Sequence, residues 1–291
     1  MPYSPATPQI LVGLTPLCFP DFPGEPPLIG ISLSGTHGRA QPVQKGEVVT
    51  KIFAHRGASA YAPENTLAAF GLACTMGADG VELEVQMTKD GEVVVIHDER
   101  VDRTTNGTGW VKDLTLDEIT ALNASMGNET YPNEKIPTLD EVFDLLADSQ
   151  MMINIEIKDS RVSYPGLDEK VLEMVDQRDW EYRINMSSFN HITLAHIRQI
   201  GSLVYTGILF EDVLYEPWNY AHQLWATGLH PHYLYVDEVP NLIDESHNSL
   251  LEINVWTVNE VADIDRMLAR GVDGIITNFP DRALERRSLV E

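Results

Sequence analysis

The sequence predicts a (βα)8 barrel of the TIM type with a small insertion after a hairpin at the second strand. Three observations predict it. From Lys51 onward, short β-rich runs alternate with helical runs, the pattern of a parallel sheet covered by helices. Eight such repeats over roughly 240 residues match the size of a closed barrel. No Gly-rich phosphate fingerprint follows the first strand, which counts against the rival open, doubly wound sheet.

Taken in order, KIFAH is the first strand and NTLAAFGLACTMG its helix. DGVELEVQ and EVVVIHD form an antiparallel hairpin around Asp90-Gly91, whose second arm stands outside the barrel count. Glu99 to Pro137 breaks the alternation, being polar and turn-rich (DRTTNGTGW, SMGNETYPNEK) with a helical piece near Leu116–Leu122. Long loops in compact domains are usually functional or disordered, and this one is read as a lid over the barrel top. MMINIEIK, YRINMSSF, LVYTGILF, GLHPHYLYV, LEINVWTV and DGIITNF supply the other six strands. DEKVLEMVDQR, HITLAHIRQI, LYEPWNYAHQLW, NLIDESHN and EVADIDRMLAR are the helices between them. Only the last strand lacks a clear helix after it.

Residues 1–49 read as a Pro-rich, irregular N-terminal extension, because nine prolines there interrupt any helix or central strand. Residues 50–291 form the barrel, with its insertion at about 99–137. The formal charge of −24 disfavours nucleic acid and anionic membranes as partners. It also obliges local cations to attract any anionic substrate. No run of 18 apolar residues occurs, so no membrane anchor is expected. The apolar patch at Ile10–Leu14 has no basic residue before it, the first being Arg39, which argues against a signal sequence. Cys18 and Cys74 fit neither a disulfide framework nor a zinc spacing. The expectation is a cytoplasmic protein with a small-molecule substrate; a homo-oligomer is compatible with the sequence.

Catalytic groups of such a barrel sit at the C-terminal ends of its strands. Those ends carry His55 and Arg56, Glu82 and Glu84, His97 and Asp98, Glu156 and Lys158, and Trp256. Glu82 and Glu84 point to one side of their strand, as do Glu156 and Lys158. Charged groups flanked by Val81, Leu83, Val85, Ile155 and Ile157 are costly to bury without partners, so their concentration at one end argues for a site. An E-x-E alone on a strand is most often an ordinary exposed face. Three carboxylates without cysteine make a hard oxygen site suited to Mg2+ or Ca2+, with Mn2+ also admissible. His55 and His97 each end a strand beside charged residues, and histidine can both take and give a proton near neutral pH. His37, His191, His196, His222 and His247 read instead as surface or satisfied core groups.

AHRGASAYAPENTLAAF, GADGVELEVQMTKDGEVVVIHD, INIEIK, and VWTVN followed by GVDGIITNFP closely resemble the glycerophosphodiester phosphodiesterases, especially the bacterial cytoplasmic kind. The resemblance runs from about Lys51 to Arg282 and leaves the extension uncovered. It implies a βα barrel with an insertion after the HD pair, and His55 and His97 as the acid–base pair. It places metal ligands at Glu82 and Glu156, with Glu84 standing where the family usually has Asp. Arg56 and Lys158 would contact phosphate, and Trp256 would line a glycerol pocket. Asn65 would orient the site or, equally, cap the first helix. The implied reaction is metal-dependent cleavage of glycerophosphodiesters to sn-glycerol 3-phosphate and an alcohol. The alternative is a lysophospholipase D-like hydrolysis of lysophospholipids, which needs an apolar entrance.

Overall fold

The structure is a computed structural model and describes residues 49–290. The Pro-rich extension expected at 1–49 therefore lies, but for its last residue, outside the described residues. The element order begins with β1 (Lys51–His55), α1 (Leu67–Met76), β2 (Gly80–Met87) and β3 (Val93–Val95). Two short helices follow, α2 (Leu116–Thr120) and α3 (Leu139–Leu145). Then come β4 (Met152–Ile157), α4 (Leu167–Asp176), β5 (Ile184–Ser188), α5 (His191–Gln199), β6 (Tyr205–Phe210) and α6 (Pro217–Gln223). The order closes with β7 (Gly228–Pro231), α7 (Leu242–Asn248), β8 (Glu252–Val255), α8 (Val261–Arg270), β9 (Gly274–Thr277) and α9 (Pro280–Ser288).

Eight strands pair in parallel and close on themselves, because β1 pairs with both β9 and β2. This is the predicted barrel. β3 runs antiparallel to β2 from Val85 to Met87, beyond the point at Glu82 where β1 leaves that edge. Strand alternation sorts the side chains. Val81, Leu83, Val85, Ile153, Ile155 and Ile157 turn outward into the apolar layer that the helices cover. Glu82, Glu84, Asn154 and Glu156 consequently turn inward.

The helices start where the sequence offers caps. Thr66 caps α1 by accepting from the Ala69 N–H, and Gly77 ends that helix with φ of 79°. The cap is thus Thr66 and not Asn65, which frees Asn65 for the site. Thr115 with Glu118 and Thr138 with Glu141 make reciprocal capping boxes on α2 and α3.

Three expectations need correction. The last strand is followed by a helix, α9, which starts on Pro280 and buries little beyond Pro280 and Ala283, so its charged sequence hid it. The GLHPHYLYV run is a strand only to Pro231, because after one bridging residue, His232, a tight turn over Tyr233–Tyr235 takes the chain out of the sheet. The segment after Glu99 is a wall more than a lid. It packs Val101, Val111, Ile119, Ala124 and Ile136 with Val94 and Ile96 into a small core of its own.

Inside the barrel lies a polar layer that the sequence did not announce. The His230 Nε2 accepts from the side-chain amides of Asn185 and Asn254, at 3.2 and 3.1 Å. Gly207 makes room for it, since a Cβ there would stand 2.3 Å from that nitrogen. Burial pushes His230 down to about 3. Unfolded, the same imidazole takes its proton near 6.5, so between these values the unfolded chain binds more protons. Stability from this residue is complete above the higher value and is lost as pH falls toward the lower. Urea unfolding between pH 7 and 4 is therefore expected to show a steeper loss in the native protein than in His230→Gln, by at most about 3 kcal/mol.

Candidate active site

A cavity of about 620 Å3 opens at the C-terminal end of the barrel. His55, Arg56, Glu82, Glu84, His97, Glu156, Lys158 and Trp256 all line it, so eight of the nine predicted site residues meet there. Asn65, the ninth, is buried behind the wall and donates from Nδ2 to Glu84 Oε2 at 2.6 Å.

The turn after β1 is built for this purpose. Arg56 has φ of 55°, a left-handed conformation that costs a non-glycine residue on the order of 1 kcal/mol. In it the Arg56 backbone N–H donates to Glu82 Oε2 at 3.1 Å. Gly57 follows with φ of 78°, and a Cβ there would lie 2.6 Å from the Ala69 carbonyl carbon. The HRG triplet thus needs its glycine for both backbone hand and close approach to α1.

Both imidazoles are held from behind. His55 Nδ1 lies 2.6 Å from Asn278 Oδ1, which also accepts from Ser59 Oγ at 3.1 Å. His97 Nδ1 lies 2.6 Å from Asp98 Oδ1. Oxygen acceptors at both Nδ1 atoms assign the proton there and leave each Nε2 an unprotonated acceptor, which on His97 takes a hydrogen bond from Lys158. Nε2 of His55 is 3.9 Å from Glu82 Oε2, and Nε2 of His97 is 3.3 Å from Lys158 Nζ. Burial, with Arg56 beside it, holds His55 down at about 4, so it is neutral at physiological pH.

Glu82, Glu84 and Glu156 are 4, 1 and 8% exposed, an acid concentration that cannot stay uncompensated. Burial, then Glu84 and Glu156, push Glu82 well above the usual carboxylate range. Burial also lifts Glu156 to about 7, against the pull of Lys158 at 3.1 Å. Glu84 goes the other way: burial opposes its charge, but Arg56, with Nε 2.8 Å away, dominates and holds it at about 2. His55, Glu82 and Glu84 each offer an atom within 4.8 Å of the others, a grouping that suits a cation. Glu156 stands in the same cavity but outside that tight group. The crowding of Glu82 and Glu156 is the strain a divalent cation relieves, so the donor set fits a hard ion.

Trp256 donates from Nε1 to the His230 carbonyl at 2.8 Å and meets Phe189 edge-on at 5.6 Å, forming an aromatic wall. Opposite it, the insertion lends Glu99, Arg100 and Trp110, whereas Thr104–Gly109 takes no part in the lining. Sequence reasoning passed over Asn278, Glu64, Arg103, Asn154 and Phe189. Asn278 follows β9 directly, as Arg56, Lys158 and Trp256 follow their strands, so the strand-end signal could have found it; Arg103 lies within DRTT and ends no strand. The bland reading suits His191, His196 and His247, which bond Leu209 O, Asp168 and Asp273. His222 is exposed and His37 lies outside the described residues.

Comparison with known proteins gives the same family. The Glycerophosphoryl diester phosphodiesterase family matches residues 55–282. A glycerophosphodiester phosphodiesterase of Caldanaerobacter subterraneus is 46% identical over 233 residues, covering 80% of this chain and 95% of its own. One from Bacillus altitudinis is 43% identical, covering 82% of this chain and 98% of its own. Among solved structures, an Oleispira antarctica phosphodiesterase in complex with the product sn-glycerol-3-phosphate superposes with a TM-score of 0.75 at 27% identity, covering 82% and 97%. With a match whose span takes in the positions of both histidines and all three acids, the chain belongs to the glycerophosphoryl diester phosphodiesterase family.

Proposed function

We propose that this chain hydrolyses glycerophosphodiesters to sn-glycerol 3-phosphate and an alcohol. In this reading a divalent cation is held by Glu82, Glu84 and Glu156, and His55 and His97 move the protons. The observation that carries it is the pair of imidazoles, each held at Nδ1 by an oxygen acceptor, in one cavity with three buried acids. When bound, the cation supplies Lewis-acid stabilisation of charge on the phosphoryl oxygens. Mg2+ and Ca2+ suit the oxygen donors best, and Mn2+ is admissible.

The residues do the rest. Arg56 and Lys158 meet phosphate charge that the acidic surface would repel, and they stabilise the further charge of the transition state. Glu156 and Glu84 keep Lys158 protonated, raising it despite burial. One Nε2 takes the proton of the attacking hydroxyl, whether of water or of the substrate's own 2-hydroxyl. The other ring, carrying a proton on Nε2 as well as on Nδ1 when substrate binds, gives that Nε2 proton to the leaving oxygen. Trp256 and Phe189 offer apolar faces to the glycerol carbons.

The mouth carries Glu99, Arg100 and Arg161, which favours a small polar head group over an acyl chain. A cytoplasmic setting accompanies this reading, resting on the resemblance to the bacterial cytoplasmic kind. No helix among the described residues is long and apolar enough to cross a membrane. The test is 31P NMR of glycerophosphocholine and lysophosphatidylcholine incubated with the protein and Mg2+ or Ca2+. Glycerophosphocholine is expected to give glycerol 3-phosphate, and faster than the acylated substrate gives its product. Release of phosphocholine, or no change, contradicts the proposal.

A further inference from the structure

Behind the two catalytic groups Arg56 and His97 runs a chain of charged contacts that ends in the insertion. Glu64 Oε1 accepts from Arg56 Nη1 at 2.8 Å. Asp98 Oδ1 faces His97 Nδ1 at 2.6 Å. These carboxylates belong to separate segments, one before α1 and one after β3. A single side chain joins them. Arg103 grips Glu64 with both terminal nitrogens, Nη1 to Oε2 and Nη2 to Oε1, each at 2.8 Å. It grips Asp98 as well, Nε to Oδ2 at 2.7 Å and Nη2 to Oδ1 at 3.0 Å.

We propose that Arg103 is a positioning residue whose one guanidinium, clamping Glu64 and Asp98 together, sets both the place of Arg56 and the tautomer of His97. The geometry requires an arginine. Two forks must be filled at once, and only a planar group with five donors fills them. Lysine, a point charge, satisfies one carboxylate and leaves the other to swing.

The consequence for His97 follows from the acceptor. The hydrogen bonds from Arg103, and then that of His97, hold Asp98 ionised at about 2. An ionised carboxylate only accepts, so it demands the proton on Nδ1 and bares Nε2 toward the cavity. Without Arg103, Asp98 is free to turn to solvent, being about a third exposed, and His97 populates both tautomers. The consequence for Arg56 is steric. Its Nη1 loses the fixed partner that complements the contact of Nε with Glu84. Arg103 does not line the cavity, so its effect passes through these two neighbours. The insertion thereby contributes to catalysis from outside the pocket.

This inference rests on the proposed hydrolysis, and two readouts keep the two separable. The first is steady-state kinetics on glycerophosphocholine with saturating Mg2+. Arg103→Met is expected to lower kcat by about 10- to 100-fold, the usual cost of losing an orienting partner, with a smaller change in KM. Arg103→Lys is expected to recover only part of that loss. The second is the long-range 1H–15N spectrum of the His97 imidazole in protein without substrate. The native protein is expected to show Nδ1 protonated and Nε2 bare, and Arg103→Met a mixture of tautomers. A purely structural arginine would lower the melting temperature and leave that spectrum alone. Native kinetics in either folded variant, or a native His97 spectrum in folded Arg103→Met, overturns the proposal. If the native protein does not hydrolyse the diester, the hydrolysis reading fails, and the imidazole spectrum still decides the role of Arg103.

Discussion

His55→Ala and His97→Ala are each expected to lower kcat on glycerophosphocholine by about 10³-fold or more, within the range that general acid–base groups contribute. The protein should remain folded in both. Neither ring is part of the apolar core: the side chains are 16 and 31% exposed, and each is held by polar contacts alone. Removing them opens the cavity without opening the core, so circular dichroism and urea midpoints should stay close to native. The double variant should lose little beyond the worse single one, because either half of a proton relay is useless alone. Full activity in either single variant would remove the acid–base assignment. Loss of folding in both would leave the rings as structural groups.

Glu82→Gln is expected to weaken binding of Mg2+ or Mn2+ by at least about 100-fold, measured calorimetrically on chelator-treated protein. The physical reason is the crowding of acids at the barrel mouth. Glu82 is raised by burial and by both neighbouring glutamates, whereas Glu84 is already neutralised by Arg56. The cation should therefore draw most of its binding free energy from Glu82 and Glu156. Its addition should also stabilise the native protein, by about 2.7 kcal/mol at a hundredfold excess over Kd, an effect absent in Glu82→Gln. Undiminished affinity in Glu82→Gln would move the cation site elsewhere. Glu84, where the family usually has Asp, is doubly engaged, with Arg56 on one oxygen and Asn65 on the other.

The barrel was legible because periodicity reports burial. Each strand had to be apolar on its outer face, and VELEVQM and INIEI alternate polar and apolar positions. The same alternation, a property of the sequence alone, puts Glu82, Glu84 and Glu156 on the inner face of their strands. α9 was illegible for the converse reason, since its face touches the barrel through few residues. The polar layer around His230 escaped because Asn185, Asn254 and Gly207 are far apart in sequence and acquire meaning only through closure of the sheet. Arg103 and Glu64 escaped likewise. They act on the site through other side chains, and sequence position gives no hint of which groups a loop residue will reach. The insertion reads as a lid when polarity is taken for looseness. Its few apolar residues suffice for a small core.

The most direct test is anomalous diffraction from crystals soaked with Mn2+ and sn-glycerol 3-phosphate. The account predicts a single strong peak at the barrel mouth ligated by Glu82, Glu84 and Glu156, with phosphate beside it. Nε2 of both His55 and His97 should lie within hydrogen-bond reach of the phosphate oxygens. A peak away from these acids, or either imidazole facing away from the phosphate, would contradict it.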